Sequence, residues 1–308
     1  MVSIIIPFFN RIDYVKRAVE SVIKQSYADW EIILVDDCGT EKLDIQHSFG
    51  AEYLSKIKLV SNEQNLGPGL SRQAGVGAAA GEFVCFLDSD DFYHQDFLSK
   101  TLSGLTSSPE AAGAFCITTS TTGGVNRGSD QPATSIMPDL FLRNRPWETS
   151  SWIWRKTEIA VWKHLRTNED WLFEIDTASN NNKIVHVVEP LCTKDDDTGE
   201  NTKDIIDHKT PEIHRNIVAL YAINRLGSFS GHSNYKSIRK AAIGRLVFTS
   251  SRLINLNEEG KVTENSLVLF RYHPPLAILL FVLSMTTFNS DIITAFYKRI
   301  LNRVYNAF

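Results

Sequence analysis

The chain has 308 residues, of which 43% are hydrophobic and 22% are charged, and its formal net charge is −4. This composition is typical of a globular protein with a sizeable core, and it excludes a disordered or collagen-like chain. The four cysteines (Cys38, Cys85, Cys116 and Cys192) are far apart and form no CxxC pair. Their spacing argues against a disulfide framework or a zinc site and fits a reducing compartment.

Charge is distributed unevenly along the chain. Residues 1–208 contain 19 Lys and Arg against 31 Asp and Glu, whereas residues 209–308 contain 13 against 5. The difference predicts two regions with different roles, a domain over 1–210 and a basic region over 211–308. A basic region could face anionic lipid or nucleic acid, or it could be a solvated helical face, and the charge alone leaves these alternatives open.

The first region alternates apolar strands with helical patterns. The apolar N-terminus has no basic segment and no cleavage site, so it is predicted to be a buried first strand and not a signal peptide. Strands are predicted over residues 2–7, 31–35, 57–60, 82–87, 113–118 and 184–188, and helices over 13–25 and 71–80, with Asp13 as a helix cap. This alternation predicts an α/β fold with a mostly parallel, twisted sheet and flanking helices.

Two of the predicted strands end in acidic residues. These residues are Asp36 and Asp37 after the second strand, and Asp88, Asp90 and Asp91 after the fourth. Because the carboxyl ends of parallel strands meet at one edge of a sheet, both clusters are expected to line one cleft. Clustered carboxylates need a compensating cation, and Mg²⁺ or Mn²⁺ prefers carboxylate and phosphate oxygens. The pattern favours a metal-bridged nucleotide diphosphate, with a solvated acidic turn as the alternative.

The middle of the chain carries further candidate residues. Residues 118–135 are rich in Ser, Thr and Gly and are predicted to form an exposed loop. An aromatic and basic patch follows, formed by Arg143, Arg145, Trp147, Trp152, Trp154 and Arg155. Its tryptophans could stack on sugar faces or fill the core. Asn168 is predicted to cap a helix whose first turn contains Glu169 and Asp170.

The basic region reads as helices over 213–226 and 237–254. The apolar run at 276–285 is far shorter than the roughly 20 residues that span a bilayer. Residues 291–308 place apolar side chains on one stripe and basic residues beside it. This pattern suits an interfacial helix at a membrane, and equally a helix docked on the protein's own core.

The motifs, in this order over roughly residues 1–205, resemble the inverting family 2 glycosyltransferases of the GT-A fold. The matching segments are 2–10, 18–22, 25–27, 31–37, 65–67, 71–73, 81–83, 88–91 and 169–170. One departure lies after the strand at 184–188. Many relatives have a tyrosine–arginine pair and then a histidine there, whereas this chain has Lys194 followed by three aspartates.

The resemblance implies roles for individual residues. Those expected against the nucleotide-sugar are Pro7, Phe8, Phe9, Asn10, Asp36, Asp37, Asn65, Gly67, Arg72, Asp88 and Ser89. Asp88 and Asp90 are expected to hold Mn²⁺ or Mg²⁺, with Asp197 as a candidate third ligand. Asp170, beside Glu169, is expected to act as the general base.

The implied reaction is a metal-dependent, inverting transfer of a hexose, glucose or galactose, from a UDP-sugar. The expected acceptor is a lipid-diphosphate-linked saccharide in O-antigen or capsule assembly. The expected location is cytoplasmic, peripheral at the inner membrane, with no nucleic-acid partner. The alternative is a non-catalytic nucleotide-sugar-binding subunit. A dinucleotide-dependent oxidoreductase is disfavoured because no GxGxxG follows the first strand.

Overall fold

The computed structural model describes residues 1–125, 132–196, 209–254, 256 and 258–278. The chain divides into two compact units, Met1–Glu200 and Asn201–Phe308. The change in charge and periodicity along the sequence placed the boundary ten residues later, between 210 and 211.

The first unit is built on a mixed sheet. Its strands within the described ranges are β1 (Val2–Phe8), β2 (Trp30–Asp36), β3 (Ile57–Ser61), β4 (Phe83–Phe86), β5 (Phe92–Tyr93), β6 (Gly113–Ser120), β7 (Trp152–Arg155) and β8 (Ile184–Lys194). Their order across the sheet is β3-β2-β1-β4-β7-β6-β8-β5. Strands β3, β2, β1 and β4 run parallel to one another, as do β6 and β8, whereas β7 and β5 are antiparallel to their neighbours. The predicted mostly parallel α/β sheet is confirmed, with two short strands, β5 and β7, that were not predicted.

Helices flank this sheet. They are α1 (Ile12–Ile23), α2 (Ile45–Ser48), α3 (Pro68–Ala78), α4 (Phe97–Thr106), α5 (Asp139–Leu142) and α6 (Glu169–Asn180), with 3₁₀ turns at Ala51–Lys56 and Thr149–Ser151. The buried face of α1 carries Val15, Ala18, Val19 and Val22. Asp13 is not the cap of this helix, because Arg11 occupies that position, and Asp13 lies in the first turn. A carboxylate there still interacts favourably with the helix dipole.

Parallel pairing brings the functional strand ends together. Phe8 at the end of β1 pairs with Asp36 at the end of β2, and Ile5 pairs with Phe86 at the end of β4. Helix α3 lies close against β1 because residue 75 is a glycine. A Cβ at Gly75 would stand 2.3 Å from the Ile5 side chain. This close packing fixes α3, which carries Arg72, beside the carboxyl edge of the sheet.

The tryptophans of the aromatic patch fill the core. Trp147, Trp152 and Trp154 are each 1% exposed. Trp152 stacks on Trp154 with ring centroids 4.2 Å apart. Of the two alternatives for these residues, the structure therefore favours the core over an open sugar-stacking surface.

The second unit is helical in its described part. It contains α7 (Thr210–Asn224), α8 (Tyr235–Ile254) and α9 (Glu259–Phe270), with a 3₁₀ turn at Leu226–Phe229. Helix α8 packs against both α7 and α9. Among the described residues, no helix is long and apolar enough to cross a membrane. The predicted amphipathic segment 291–308 and most of the apolar run 276–285 lie outside the described residues.

Candidate active site

Asp37, just after β2, organises a loop at the edge of the sheet. Its carboxylate accepts hydrogen bonds from the backbone N–H groups of Leu66 and Gly67, each at 2.8 Å, and from Asn62 Nδ2 at 2.9 Å. Gly67 has a φ of 81°, which glycine adopts without the steric cost of a side chain. Asp37 therefore fixes the 65–67 loop that the sequence placed against the nucleotide.

Asp36 and Asn10 organise the neighbouring loop in the same way. The Asp36 carboxylate accepts the Gly39 N–H at 2.7 Å, and Asn10 Oδ1 accepts the Glu41 N–H at 3.0 Å. Of the segment 7–10, Pro7 and Phe8 are buried, while Phe9 is 47% exposed. The aromatic face open to a ligand on this segment is therefore that of Phe9.

Arg72 joins the acidic strand end to helix α6. Its Nη2 donates to Asp88 Oδ1 at 2.6 Å, and its Nη1 donates to Glu169 Oε1 at 2.8 Å. The guanidinium also lies 4.7 Å from the centre of the Trp162 ring. Burial opposes the charge of this side chain, which is 3% exposed, but the two carboxylates outweigh it and raise the pKa of Arg72 above its usual value.

The turn after β4 holds three carboxylates in different settings. Asp88 is partly exposed and Asp90 is half-buried, whereas Asp91 is 4% exposed. Burial, with the charge of Asp88, raises the pKa of Asp90, whose carboxylate lies 3.6 Å from Arg11 Nη1. Asp91 accepts the Ser150 hydroxyl at 2.5 Å, and Ser150 Oγ in turn accepts the Asp88 N–H at 3.1 Å. Asp91 therefore anchors the turn, and Asp88 and Asp90 are its more exposed carboxylates.

Glu169 and Asp170 begin helix α6. Asn168 occupies the cap position with a φ of 64°, but its side chain makes no capping hydrogen bond, contrary to the simple capping prediction. Burial and the adjacent charge of Asp170 raise the pKa of Glu169 to about 7, although Arg72 opposes the shift. Asp170 Oδ2 lies 2.9 Å from Arg145 Nη1. Glu169 is therefore paired with Arg72, and Asp170 with Arg145.

Arg145 also binds Glu174, one turn further along α6. Its Nε and Nη2 lie 3.1 Å and 2.9 Å from Glu174 Oε1. Burial raises the pKa of the Glu174 carboxyl to about 7; Arg145 opposes this shift, and the charge of Asp170 adds to it.

The Glu174→Gln variant should therefore change the pH dependence of stability. Since the pKa of Glu174 is higher in the folded state (about 7) than its usual value of 4.5, the free energy of unfolding falls as the pH rises through that window. Glutamine does not titrate, so the variant should gain stability relative to the wild type between pH 4.5 and 7. Urea unfolding followed by tryptophan fluorescence measures this, since all six tryptophans lie in the first unit. The exposed Glu110→Gln variant is the control, and parallel curves for Glu174→Gln and wild type would contradict the expectation.

The end of β8 and the two residues after it lie near the acidic turn and add charged groups to it. Asp195 accepts Arg17 Nη1 at 2.6 Å and Thr121 Oγ1 at 3.1 Å. Lys194 lies 3.7 Å from Asp196. Although burial lowers it, the pKa of Lys194 is raised by nearby carboxylates that include Glu148, Asp91 and Asp88. Asp197, the candidate third metal ligand, lies outside the described residues.

Asp88 and Asp90 are suited to supply two ligands to a divalent cation whose remaining ligands would come from a diphosphate and water. Among the described residues, no group of three or more His, Cys, Asp or Glu side chains is placed to hold a metal alone. Mg²⁺ in nucleotide sites is held by one or two carboxylates together with phosphate oxygens and water. Asp88 and Asp90 are two partly exposed carboxylates on one turn and match that set of ligands, so the residues present suit Mg²⁺ or Mn²⁺.

Sequence reasoning missed the parts of the site that connect these acids. Arg145 was placed in the aromatic and basic patch with no role, and Ser150 and Arg17 were not singled out. No local spacing relates Arg145 to Asp170, which is 25 residues away. The available signal was the need of each buried carboxylate for a compensating partner.

Comparison with known proteins identifies the family. The model of the family described as "Glycosyl transferase family 2" matches residues 3–162, which is more than half of the chain. The chain belongs to glycosyl transferase family 2. The matched region contains the acidic strand ends and Arg72 and stops before Glu169 and Asp170.

Individual members of the family cover less of the chain. TuaG of Bacillus subtilis, a putative teichuronic acid biosynthesis glycosyltransferase, is 40% identical over 103 residues, which is 33% of this chain and 40% of TuaG. WfgD of Escherichia coli, named UDP-Glc:alpha-D-GlcNAc-diphosphoundecaprenol beta-1,3-glucosyltransferase, is 34% identical over 103 residues, with the same coverages. The chain therefore spans about two fifths of the length of these curated relatives.

Similarity of fold extends much further than similarity of sequence. The structure of S. aureus TarS residues 1–349 in complex with UDP-GlcNAc has a TM-score of 0.61 to this chain. The match covers 91% of this chain and 89% of TarS at 19% identity. The fold is thus that of the GT-A glycosyltransferases, a mostly parallel sheet with flanking helices and a helical C-terminal region.

Proposed function

We propose that this family 2 protein is an inverting glycosyltransferase that moves glucose or galactose from a UDP-sugar to a hydroxyl of a lipid-diphosphate-linked saccharide. The observation that carries the proposal is the position of Arg72, which joins Asp88 at the end of β4 to Glu169 beside Asp170. Acids suited to the donor and an acid suited to proton transfer therefore share one site. The similarity to TuaG and WfgD supports a role in surface-polysaccharide assembly, and the activity for which WfgD is named supports a UDP-linked donor and a lipid-linked acceptor.

Donor binding is assigned to the loops at the ends of β1 and β2. An ionised carboxylate offers about four acceptor positions. Asp37 uses three of them, on Asn62, Leu66 and Gly67, so one remains for the N3–H of a uracil. Phe9 offers an exposed ring on which the base can stack. Asp88 and Asp90 would hold Mn²⁺ or Mg²⁺, which neutralises the diphosphate and makes UDP a better leaving group.

The proposed reaction is a single displacement. The acceptor oxygen forms a bond to the anomeric carbon while the bond from that carbon to the diphosphate oxygen breaks, and its electron pair leaves with UDP. Asp170 takes the hydroxyl proton as the new bond forms. Inversion follows because attack and departure take place on opposite faces of the sugar.

The location proposed is the cytoplasmic face of the inner membrane. Support comes from the excess of eight positive charges over residues 209–308, since a basic surface is attracted to anionic lipid. A lipid-linked acceptor also requires an enzyme that works at a membrane surface.

A donor panel tests the proposal. UDP release is measured with Mn²⁺, UDP-glucose, UDP-galactose or UDP-GlcNAc, and a diphosphate-lipid-linked GlcNAc or GalNAc acceptor. We expect acceptor-dependent release from one hexose donor, and a loss of at least about 100-fold in Asp90→Ala, because removing a metal ligand should cost no less than removing an outer partner. Asp96→Ala, an exposed acid at the start of α4, is the matched control and should behave as wild type.

Two outcomes would contradict the proposal in different ways. UDP binding without release from any donor and acceptor pair would favour the non-catalytic subunit. The absence of any UDP binding, with or without Mn²⁺, would contradict the nucleotide assignment itself.

A further inference from the structure

Arg145 is the buried cation closest to the proposed base. Its guanidinium lies 2.9 Å from Asp170 Oδ2, and its side chain is 8% exposed. The remaining nitrogens bind Glu174 at 2.9 Å and 3.1 Å and Thr149 Oγ1 at 2.9 Å. Nη1 also lies 3.5 Å from Glu148 Oε2. With its donors directed at four residues, the guanidinium cannot rotate independently of its surroundings.

The backbone that carries Arg145 is itself unusual. Asn144 and Arg145 have φ values of 52° and 57°, in the left-handed region that residues other than glycine seldom adopt. Two consecutive residues in that region persist only where their surroundings hold them. The conformation places the guanidinium against the start of α6.

Thr149, a hydrogen-bond partner of Arg145, connects this arginine to the acids of the turn after β4. Thr149 begins the 3₁₀ turn Thr149–Ser151, and the next residue, Ser150, binds both Asp91 and the Asp88 N–H. The same short turn therefore contacts the acidic turn after β4 through Ser150 and the base through Arg145. Arg72 makes the other connection, from Asp88 to Glu169.

We propose that Arg145 is a positioning residue for the transfer step, which fixes the orientation of the Asp170 carboxylate relative to the donor held at Asp88. The inference rests on the proposed function, since it assigns Asp170 as the base. Arg145 engages one lone pair of Oδ2, and the Trp171 N–H donates to Oδ1 at 3.0 Å, so the carboxylate is held with about two lone-pair positions left for the acceptor hydroxyl. Glu174 and Thr149 hold the guanidinium in place.

The test measures kcat, the KM for the donor and UDP affinity for the full chain. We expect Arg145→Ala to lower kcat about 100-fold, the scale of a misplacement by about 1 Å, with UDP affinity within twofold of wild type. Arg145→Lys should also lower kcat, because one ammonium cannot reproduce the planar fork toward Asp170, Glu174 and Thr149.

Added guanidinium should restore part of the activity of Arg145→Ala. Arg143→Ala, whose native side chain lies 3.6 Å from Asp139, is the matched control and should retain wild-type kcat.

A double-mutant cycle with Asp170→Asn separates positioning from a general structural role. If Arg145 acts through Asp170, Arg145→Ala should cause no further loss of kcat in the Asp170→Asn background. Equal losses in both backgrounds, or wild-type kcat in Arg145→Lys, would overturn the inference. If Arg145→Ala does not fold, Arg145→Lys carries the same cycle. Full activity of Asp170→Asn alone would instead contradict the assignment of the base, so the two failures are distinguishable.

Discussion

Replacing Asp170 by asparagine is expected to lower kcat about 1,000-fold while UDP affinity stays within twofold of wild type. General-base catalysis is worth roughly 10²- to 10⁴-fold, and an amide cannot take the acceptor proton. Asparagine keeps the shape of the side chain and one oxygen for Arg145, so the ground-state structure should change little. The variant removes an interaction needed in the transition state and leaves nucleotide binding intact.

The measurement is steady-state UDP release with the donor and acceptor found in the panel, together with calorimetric titration of UDP. Asp176→Asn is the matched control, because Asp176 lies on the same helix and pairs with Lys163. A wild-type kcat in Asp170→Asn would require a different base. A parallel loss of UDP affinity would instead place Asp170 in the nucleotide site.

The sequence predicted those site residues that lie at the ends of strands. Asp36, Asp37, Asp88 and Asp90 follow apolar strands, and parallel pairing of β1 with β2 and β4 was enough to bring them to one edge. The placement of Arg72 near them followed from the family resemblance. Its salt bridges to Asp88 and Glu169 were not predicted, because they depend on how α3 and α6 pack.

The remaining parts depend on contacts that no local pattern reveals. Strand β7 contains Trp152, Ile153 and Trp154, whose consecutive large side chains show no alternation, so the segment did not predict a strand. Asn168 has the composition of a helix cap, yet its left-handed backbone turns the side chain away from that role. Arg145 reaches Asp170 from a segment after α5 in which Asn144 and Arg145 both adopt positive φ values. A left-handed arginine is rare, so the sequence did not predict this conformation.

Replacing Arg72 by methionine is expected to lower the free energy of unfolding of the first unit by about 3–5 kcal/mol. Breaking a buried ion pair by removing one partner costs this much because the other charge stays buried without compensation. Here the group left behind is Glu169, which is 7% exposed and stands beside the charge of Asp170, so the comparison is made above pH 8, where Glu169 with its pKa of about 7 is ionised in the wild type. Methionine roughly preserves the apolar stem against Trp162, so the loss should reflect charge more than volume.

The second variant of this test is Arg72→Met combined with Glu169→Gln. Glutamine removes the stranded charge, so the double variant should recover much of the stability that the single variant loses. Urea unfolding followed by tryptophan fluorescence gives both values. If the double variant is as unstable as Arg72→Met, the loss arises from packing against Trp162 and not from the uncompensated carboxylate. Asp88 is partly exposed and contributes less to the cost, since water can solvate it once Arg72 is gone.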